Sequence, residues 1–135
     1  MWRMAGVVAI VGLGGTARAA DDRIDVARGP DSTLFGSCVP SLLLTNRSDR
    51  ILDYVQVDIE FTLRDGRTPV LAFKSRYREG VERPVGAGDS AALLVHGDES
   101  QPLHAPCEAI VARRVVAATC LTGSGPCAAT IAIKP

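Results

Sequence analysis

The chain has 135 residues, of which 47% are hydrophobic, and its 15 basic side chains balance 15 acidic ones. This length and composition fit one globular domain and exclude a collagen, a coiled coil or a disordered tail. Because like charges are not clustered and only 4% of the residues are aromatic, we expect no nucleic-acid-binding surface and no platform for stacking bases or sugars.

Residues 1–19 have the pattern of a cleaved secretory signal. A basic start at residues 1–3 precedes an apolar run at residues 4–13, and residues 17–19 form an Ala-Arg-Ala cleavage site. The apolar run is too short to span a bilayer as a helix. We therefore expect residues 1–19 to be removed and residues 20–135 to form one secreted or periplasmic domain with no membrane attachment.

Short strand-like runs separated by turn-forming residues follow the signal. The strongest is residues 55–64, where apolar and polar residues alternate strictly, as in a strand with one buried face and one solvent face. The other runs are residues 41–45, 70–78, 91–95, 109–120 and 127–133. We predict an all-β fold, an antiparallel immunoglobulin- or fibronectin-III-like sandwich of six or seven strands with two disulfides. The predicted core is Leu42, Leu44, Val55, Val57, Ile59, Phe61, Leu63, Leu71, Phe73, Leu93, Val95, Val116, Ile131 and Ile133.

Four cysteines in an exported chain predict two disulfides, because the oxidising compartment favours them and no C-x-x-C motif points to redox work or zinc. Four cysteines allow three pairings. We favour Cys120 with Cys127, which flank a Gly/Pro turn, and by elimination Cys38 with Cys107. Two strands that face each other across such a bridge would also pair Ala118 with Ala129 and Val116 with Ile131.

The pairing of residues 55–64 with residues 70–78 is limited by a parity rule. Directly opposite residues of an antiparallel pair point to the same face of the sheet, so polar positions must face polar positions and apolar positions must face apolar ones. A two-residue turn at Asp65–Gly66 would set polar positions against apolar ones, so we expect a longer loop that keeps Pro69 out of the ladder. The favoured register pairs Phe61 with Phe73, Glu60 with Lys74 and Asp58 with Arg76, and the second choice pairs Ile59 with Phe73 and Asp58 with Lys74.

The order of turns and cysteines resembles small secreted bacterial fibronectin-III-like proteins of the interleukin receptor mimic type. The features that carry the resemblance are Cys38, residues 42–48, residues 51–55, Asp65–Gly66, residues 75–80, Cys107, Cys120 and Cys127. The resemblance implies a fibronectin-III-like fold, two disulfides and work by protein contact. It does not extend to cytokine binding, because no residue set matches a contact motif.

Candidate functional residues are few. Tyr77 lies between Arg76 and Arg78, and tyrosine and arginine are common binding hot spots, so these three residues are a candidate docking site. His96 and His104 flank an acidic loop but lack a compact ligand spacing, so we expect no metal or other cofactor. Residues 46–48 fit a glycosylation sequon, although a polar turn is the simpler explanation and a bacterial source would usually leave the asparagine unmodified.

No serine has the context of an activated nucleophile, so we expect a protein that is not an enzyme. The predicted function is that of a secreted or periplasmic module that binds another protein through its sandwich surface or a sheet edge, as a monomer or a homodimer. The alternative is a periplasmic chaperone or assembly factor that caps a client strand.

Overall fold

The computed structural model describes residues 22–75, 83–95 and 102–135. The predicted signal, residues 1–19, lies outside these ranges, and no helix within them is long and apolar enough to cross a membrane. The strands are β1 (Arg23–Arg28), β2 (Ser32–Leu34), β3 (Ser37–Val39), β4 (Ser41–Asn46), β5 (Tyr54–Leu63), β6 (Val70–Lys74), β7 (Ser90–Val95), β8 (Ile110–Thr122), β9 (Gly125–Pro126) and β10 (Thr130–Lys134), with a 3-10 turn at Cys107–Ala109 before β8.

Eight of these strands form one curled sheet in the order β9-β8-β5-β6-β7-β4-β1-β10, and β2 and β3 form a separate hairpin. The all-β class and the two disulfides are confirmed. The expectation of a wholly antiparallel arrangement was wrong, because β10 runs parallel to β1, with Ile131 beside Ile24.

The inner face of the sheet forms the core, as the alternation in β5 predicts. The buried members of the predicted set are Leu42, Leu44, Val55, Val57, Ile59, Phe61, Leu63, Leu71, Phe73 and Leu93, and the partly buried Val95, Ile131 and Ile133 pack against them. Val116 was predicted wrongly, because it is the extra residue of a β-bulge: Asp58 pairs with Ala117 and Ile59 with Val115. Val116 is therefore 40% exposed.

The hairpin of β5 and β6 obeys the predicted parity but has neither predicted register. Val57 faces Phe73, Asp58 faces Ala72 and Glu60 faces Val70. The ladder continues toward the turn, where the amide N–H of Leu63 donates to the Arg67 carbonyl and that of Phe61 to the Pro69 carbonyl, each at 2.9 Å. Proline lacks the backbone N–H donor but keeps its carbonyl acceptor, so Pro69 takes part in the ladder through its carbonyl oxygen. The loop shortens to three residues ending in Gly66, at φ 94°.

The bridge of Cys120 to Cys127 closes the short hairpin of β8 and β9 in the predicted register, with Pro126 facing Leu121. The hairpin ends there. The predicted pairs Ala118 with Ala129 and Val116 with Ile131 were wrong, because β10 leaves β8 and pairs with β1 instead.

Candidate protein-contact surface

The structure tests only part of the predicted sites. Arg76, Tyr77, Arg78 and His96 lie outside the described residues. His104 is exposed, and its carbonyl accepts a hydrogen bond from Arg67 Nη2 at 3.2 Å.

The predicted charge pairs between β5 and β6 that fall within the described residues were wrong, because the register of the two strands differs from the predicted ones. Lys74 faces Gln56 rather than Glu60. Glu60 instead pairs across β5 and β8 with Arg114, whose Nη2 lies 3.0 Å from Glu60 Oε1.

The hairpin of β2 and β3 carries an exposed aromatic side chain at its tip. Leu34 pairs with Ser37, so Phe35 and Gly36 form a two-residue loop. Both have positive φ, 52° and 78°, which is the pattern of a type I′ turn. Phe35 is 80% exposed and Leu34 is 41% exposed. The turn therefore presents apolar side chains to solvent.

Covalent and polar contacts hold this hairpin against the main sheet. The disulfide of Cys38 with Cys107 joins β3 to the 3-10 turn, with 4.7 Å between the Cα atoms. The Cys38 amide N–H donates to the Ala105 carbonyl at 2.7 Å. Asp31, just before β2, receives a hydrogen bond from Arg113 Nη2 at 3.0 Å. The tip is thus displayed on a fixed base.

An apolar groove of about 440 Å³ lies beside the hairpin. Its ten lining residues are all uncharged and include Pro30, Val39, Pro40, Leu43, Ala92 and Leu94. Leu43 and Leu94 lie on the outer face of β4 and β7 and are 45% and 53% exposed. Ser32 also lines the groove, and Leu34 lies on the same face of β2 by strand alternation. We name Leu34, Phe35 and the groove the hairpin surface.

The free edge of β8 is protected against strand addition. Within the described residues, β8 pairs with β5 on one side and only Leu121 and Thr122 pair with β9 on the other. Two bulges interrupt this edge, with Val111 and Val116 as the extra residues. Arg113 points inward, opposite Phe61. Bulges and inward charges are devices that prevent edge pairing.

Arg113 is a buried cation on the apolar face of the sheet. Its side chain is 7% exposed, its guanidinium lies 5.3 Å from the centroid of the Phe61 ring, and Asp31 neutralises it. Its Nε has no hydrogen-bond partner in the described part of the chain. The Arg113–Asp31 pair therefore links the edge of β8 to the base of the hairpin.

The sequon and the cysteine cluster are structural. Asn46 is 0% exposed, and its Nδ2 donates to the carbonyls of Arg50, Val85 and Gly86 at 2.8 to 3.1 Å. Ligand-type atoms of Asp31, Cys38 and Cys107 lie within 4.8 Å of one another, but both sulfurs belong to the disulfide. Cysteine binds metal ions as a free thiolate, so this cluster is not a metal site in the oxidised protein.

Sequence reasoning missed Phe35, although a signal for it exists. Residues 32–34 and 37–39 are short runs with strand-forming residues, and a glycine stands between them at position 36. A glycine at that spacing predicts a tight hairpin, which would have placed Phe35 at an exposed tip. Comparisons with protein-family models, curated proteins and solved structures find no match for this chain.

Proposed function

We propose that this protein is a secreted or periplasmic, non-enzymatic module that binds another protein through the hairpin surface. Its two disulfides indicate an oxidising, extracytoplasmic environment. The observation that carries the proposal is the exposed Phe35 in a left-handed turn conformation.

Phe35 is an unfavourable choice for folding. The first position of a type I′ turn favours asparagine, aspartate or glycine, and a residue with a bulky side chain at positive φ costs roughly 1–2 kcal/mol. Burial does not offset this cost, because the side chain is 80% exposed. Strained residues concentrate at binding sites, where contact with a partner offsets the cost, and exposed aromatics are frequent hot spots.

The groove supplies the complementary half of a contact surface. Contiguous exposed apolar area on a soluble protein is typical of an interaction site. Leu43 and Leu94 are exposed apolar side chains that line the groove, and Leu34 and Phe35 belong to the hairpin whose Ser32 and Val39 also line it. None of the ten lining residues is titratable, so this surface suits apolar contact and offers no group for acid–base chemistry.

Of the two predicted contact modes, a face of the domain, such as the hairpin surface, is better supported than a sheet edge. The bulges of β8 and the inward Arg113 oppose addition of a strand. The other described edge, β10, is five residues long and ends in Lys134 beside Pro135, and a short edge with lysine and proline is similarly protected. These features also weigh against the alternative of a chaperone that caps a client strand.

We also infer that the curled sheet is an immunoglobulin- or fibronectin-III-like sandwich, folded on itself where β6 meets β7. Among the described residues of these strands, two pairs join them, Phe73 with Val95 and Lys74 with Leu94, so the sheet can bend there. β5, β6 and β8 would form one layer, and β7, β4, β1 and β10 the other. The support is that inner-face residues of both halves belong to one core cluster.

The proposal is tested by isolating the protein from the exported fraction together with whatever is bound to it. We expect a partner protein to accompany the wild type in stoichiometric amount and to be lost in Phe35→Asn. The matched control is Ile51→Asn, since Ile51 is 58% exposed and follows the opposite end of β4. A partner that remains with Phe35→Asn, or that is lost with Ile51→Asn, would contradict the assignment to the hairpin surface.

A further inference from the structure

We infer that a carboxylate binds in a small pocket between β1 and β8, held by the guanidinium groups of Arg28 and Arg113. The pocket has a volume of about 200 Å³. It is separate from the groove of the hairpin surface, because no described residue lines both. The inference therefore goes beyond the proposed function, and the two can fail separately.

The two arginines reach the pocket from strands that are not neighbours in the sheet. Arg28, the last residue of β1, faces the buried Leu42 of β4. Arg113 of β8 faces the buried Phe61 of β5. Because directly opposite residues of an antiparallel pair point to the same face, both arginines project from the inner face of the curled sheet. The curl thus brings two cations to the margin of one core.

Arg113 is buried but has too few hydrogen-bond acceptors. Its side chain is 7% exposed, and a guanidinium carries five N–H donors. In the described part of the chain, these donors make one hydrogen bond, from Nη2 to Asp31 Oδ2 at 3.0 Å, and Nε has no partner. Buried donors without acceptors are destabilising. A ligand that supplies further acceptor oxygens is therefore favoured at this guanidinium.

Arg28 adds a second cation that is not neutralised. Its side chain is exposed, and its guanidinium makes no hydrogen bond or ion pair with another described residue. Among the described residues that line the pocket, Asp31 is the only acid. Two arginines and one aspartate leave a single positive charge, which matches a monoanion.

A carboxylate fits this site better than a phosphate. The planar fork of arginine matches the two oxygens of a carboxylate, and such charge-assisted hydrogen bonds are short and strong. A phosphate dianion would place a second negative charge beside Asp31, and like charges at this distance repel. The carboxylate can come from a free organic acid or from an acidic side chain or C-terminus of another protein.

Acetate is the first probe, added at neutral pH and constant ionic strength to the exported protein with both disulfides intact. We expect acetate to shift the amide resonances of Val111 and Ala112, which line the pocket, and to saturate with a dissociation constant of about 1 mM. Chloride should produce no such shift, and phosphate should bind more weakly than acetate. Arg28→Gln should weaken acetate binding more than about tenfold, because one charged donor is lost.

Asp31→Asn tests the charge argument in the opposite direction. It removes the competing acid but keeps an amide oxygen that can accept from Arg113, so we expect acetate to bind about fivefold more tightly than to the wild type. Arg50→Gln is the matched control and leaves acetate binding unchanged, because Arg50 is 68% exposed and does not line this pocket. Opposite effects of the two pocket variants cannot result from misfolding, which would weaken binding in both.

The absence of a saturable shift up to about 100 mM acetate overturns the inference. Binding that Arg28→Gln leaves unchanged, or that Asp31→Asn fails to strengthen, overturns it as well. Two peptides distinguish the sources, one with a glutamate and blocked termini, the other with a free C-terminus and no acidic side chain. A peptide that binds more than about tenfold more tightly than acetate, and is lost in Arg28→Gln, assigns the carboxylate to another protein. Peptides that bind no more tightly than acetate assign it to a free acid.

Discussion

Phe35 occupies a turn position where local energetics favour asparagine. Its φ of 52° and the 78° of Gly36 describe a turn in which Asn-Gly is the preferred pair. We predict that Phe35→Asn raises the free energy of unfolding by about 0.5–1 kcal/mol, because asparagine tolerates the left-handed conformation. Denaturant unfolding of dilute protein measures this change. Phe35→Ala is the control: it removes the same exposed ring but remains strained, so it should gain less. Destabilisation by asparagine would contradict the turn assignment.

Asn46 joins the turn after β4 to the loop before β7. Its amide donates to three carbonyls, and its Oδ1 accepts hydrogen bonds from the backbone N–H and hydroxyl of Ser48. We predict that Asn46→Ala lowers the free energy of unfolding by about 1–3 kcal/mol, because buried polar groups lose their partners. Thermal and denaturant unfolding measure this loss.

Thr45→Ala is the matched control for Asn46→Ala. Thr45 Oγ1 lies 3.2 Å from Ser90 Oγ in an exposed contact, so its loss should change stability by less than about 0.5 kcal/mol. A glycan on Asn46 Nδ2 would disrupt these buried hydrogen bonds, so folded protein made in a eukaryotic secretory host should carry none there, as intact mass will report. A glycan on a folded protein would show that the asparagine is accessible.

Asp25 makes folding sensitive to acid. The hydrogen bond from Arg47 Nε at 2.6 Å, with a weaker one from Arg23, holds the pKa of Asp25 below its ordinary value of 3.8. A carboxyl whose folded pKa is lowered stabilises above its unfolded pKa, and this stability is lost as pH falls through the folded pKa. We predict that Asp25→Asn reduces stability at neutral pH by about 0.2–1 kcal/mol, because the pair is partly exposed.

The deficit of Asp25→Asn relative to wild type should disappear as the pH falls below the folded pKa of Asp25. Unfolding curves from pH about 7 to about 2 measure this convergence. Asp49→Asn is the control, because Asp49 is 77% exposed and lies 3.9 Å from Arg50, so its substitution should have little effect. A deficit for Asp25→Asn that persists unchanged at acid pH would refute the linkage.

At the level of elements, the turn of the β5–β6 hairpin depends on one glycine. Gly66 has φ 94°, and a Cβ added there would meet nothing within 4 Å. Steric crowding is therefore absent, and the cost of a side chain is backbone strain alone. We predict that Gly66→Ala lowers the free energy of unfolding by about 1 kcal/mol. Gly123→Ala is the control, since its added Cβ would lie an ordinary 3.7 Å from Asp53. Equal effects of the two substitutions would show that a side chain at position 66 causes no backbone strain.

The same hairpin shows how far sequence can predict a sheet. Alternation in residues 55–64 identified the buried face, and parity correctly required the buried positions of one strand to face the buried positions of the other. The exact register failed because proline was excluded from the ladder, although the Pro69 carbonyl accepts from Phe61. Phe73 faces Val57 rather than Phe61 or Ile59, and because all three registers keep the buried faces together, alternation alone does not distinguish them.

Long-range pairing and the contact surface were harder to predict than local structure. The register around Cys120 and Cys127 was correct because a short loop limits the geometry. The partner of β10 was predicted wrongly. β10 pairs with β1, which lies about a hundred residues earlier in the chain, rather than with the neighbouring β8. Phe35 was missed because a lone aromatic has no periodic pattern, and the two short runs on either side of Phe35 and Gly36 were not recognised as a hairpin.

At the scale of the whole molecule, the two disulfides stabilise the fold unequally. Cys38 and Cys107 are 69 residues apart in sequence, and Cys120 and Cys127 are 7 apart. Closing a longer loop removes more entropy from the unfolded chain, so the chain-entropy model assigns about 4 kcal/mol to the first bridge and about 2.5 kcal/mol to the second. The long bridge also fixes the base of the hairpin surface, which couples stability to the proposed contact.

We therefore predict that replacing Cys38 and Cys107 together by alanine lowers the free energy of unfolding by about 1–2 kcal/mol more than replacing Cys120 and Cys127 together. Denaturant unfolding measures both losses, and the wild type, which has no free cysteine among its four, should show no reactive thiol when denatured. Loss of the long bridge should also weaken binding at Phe35, because the hairpin loses its covalent anchor, whereas loss of the short bridge should leave that binding intact. Equal losses of stability from the two double substitutions would contradict the entropy argument. Binding that does not change when the long bridge is removed would show that the hairpin surface does not depend on that disulfide.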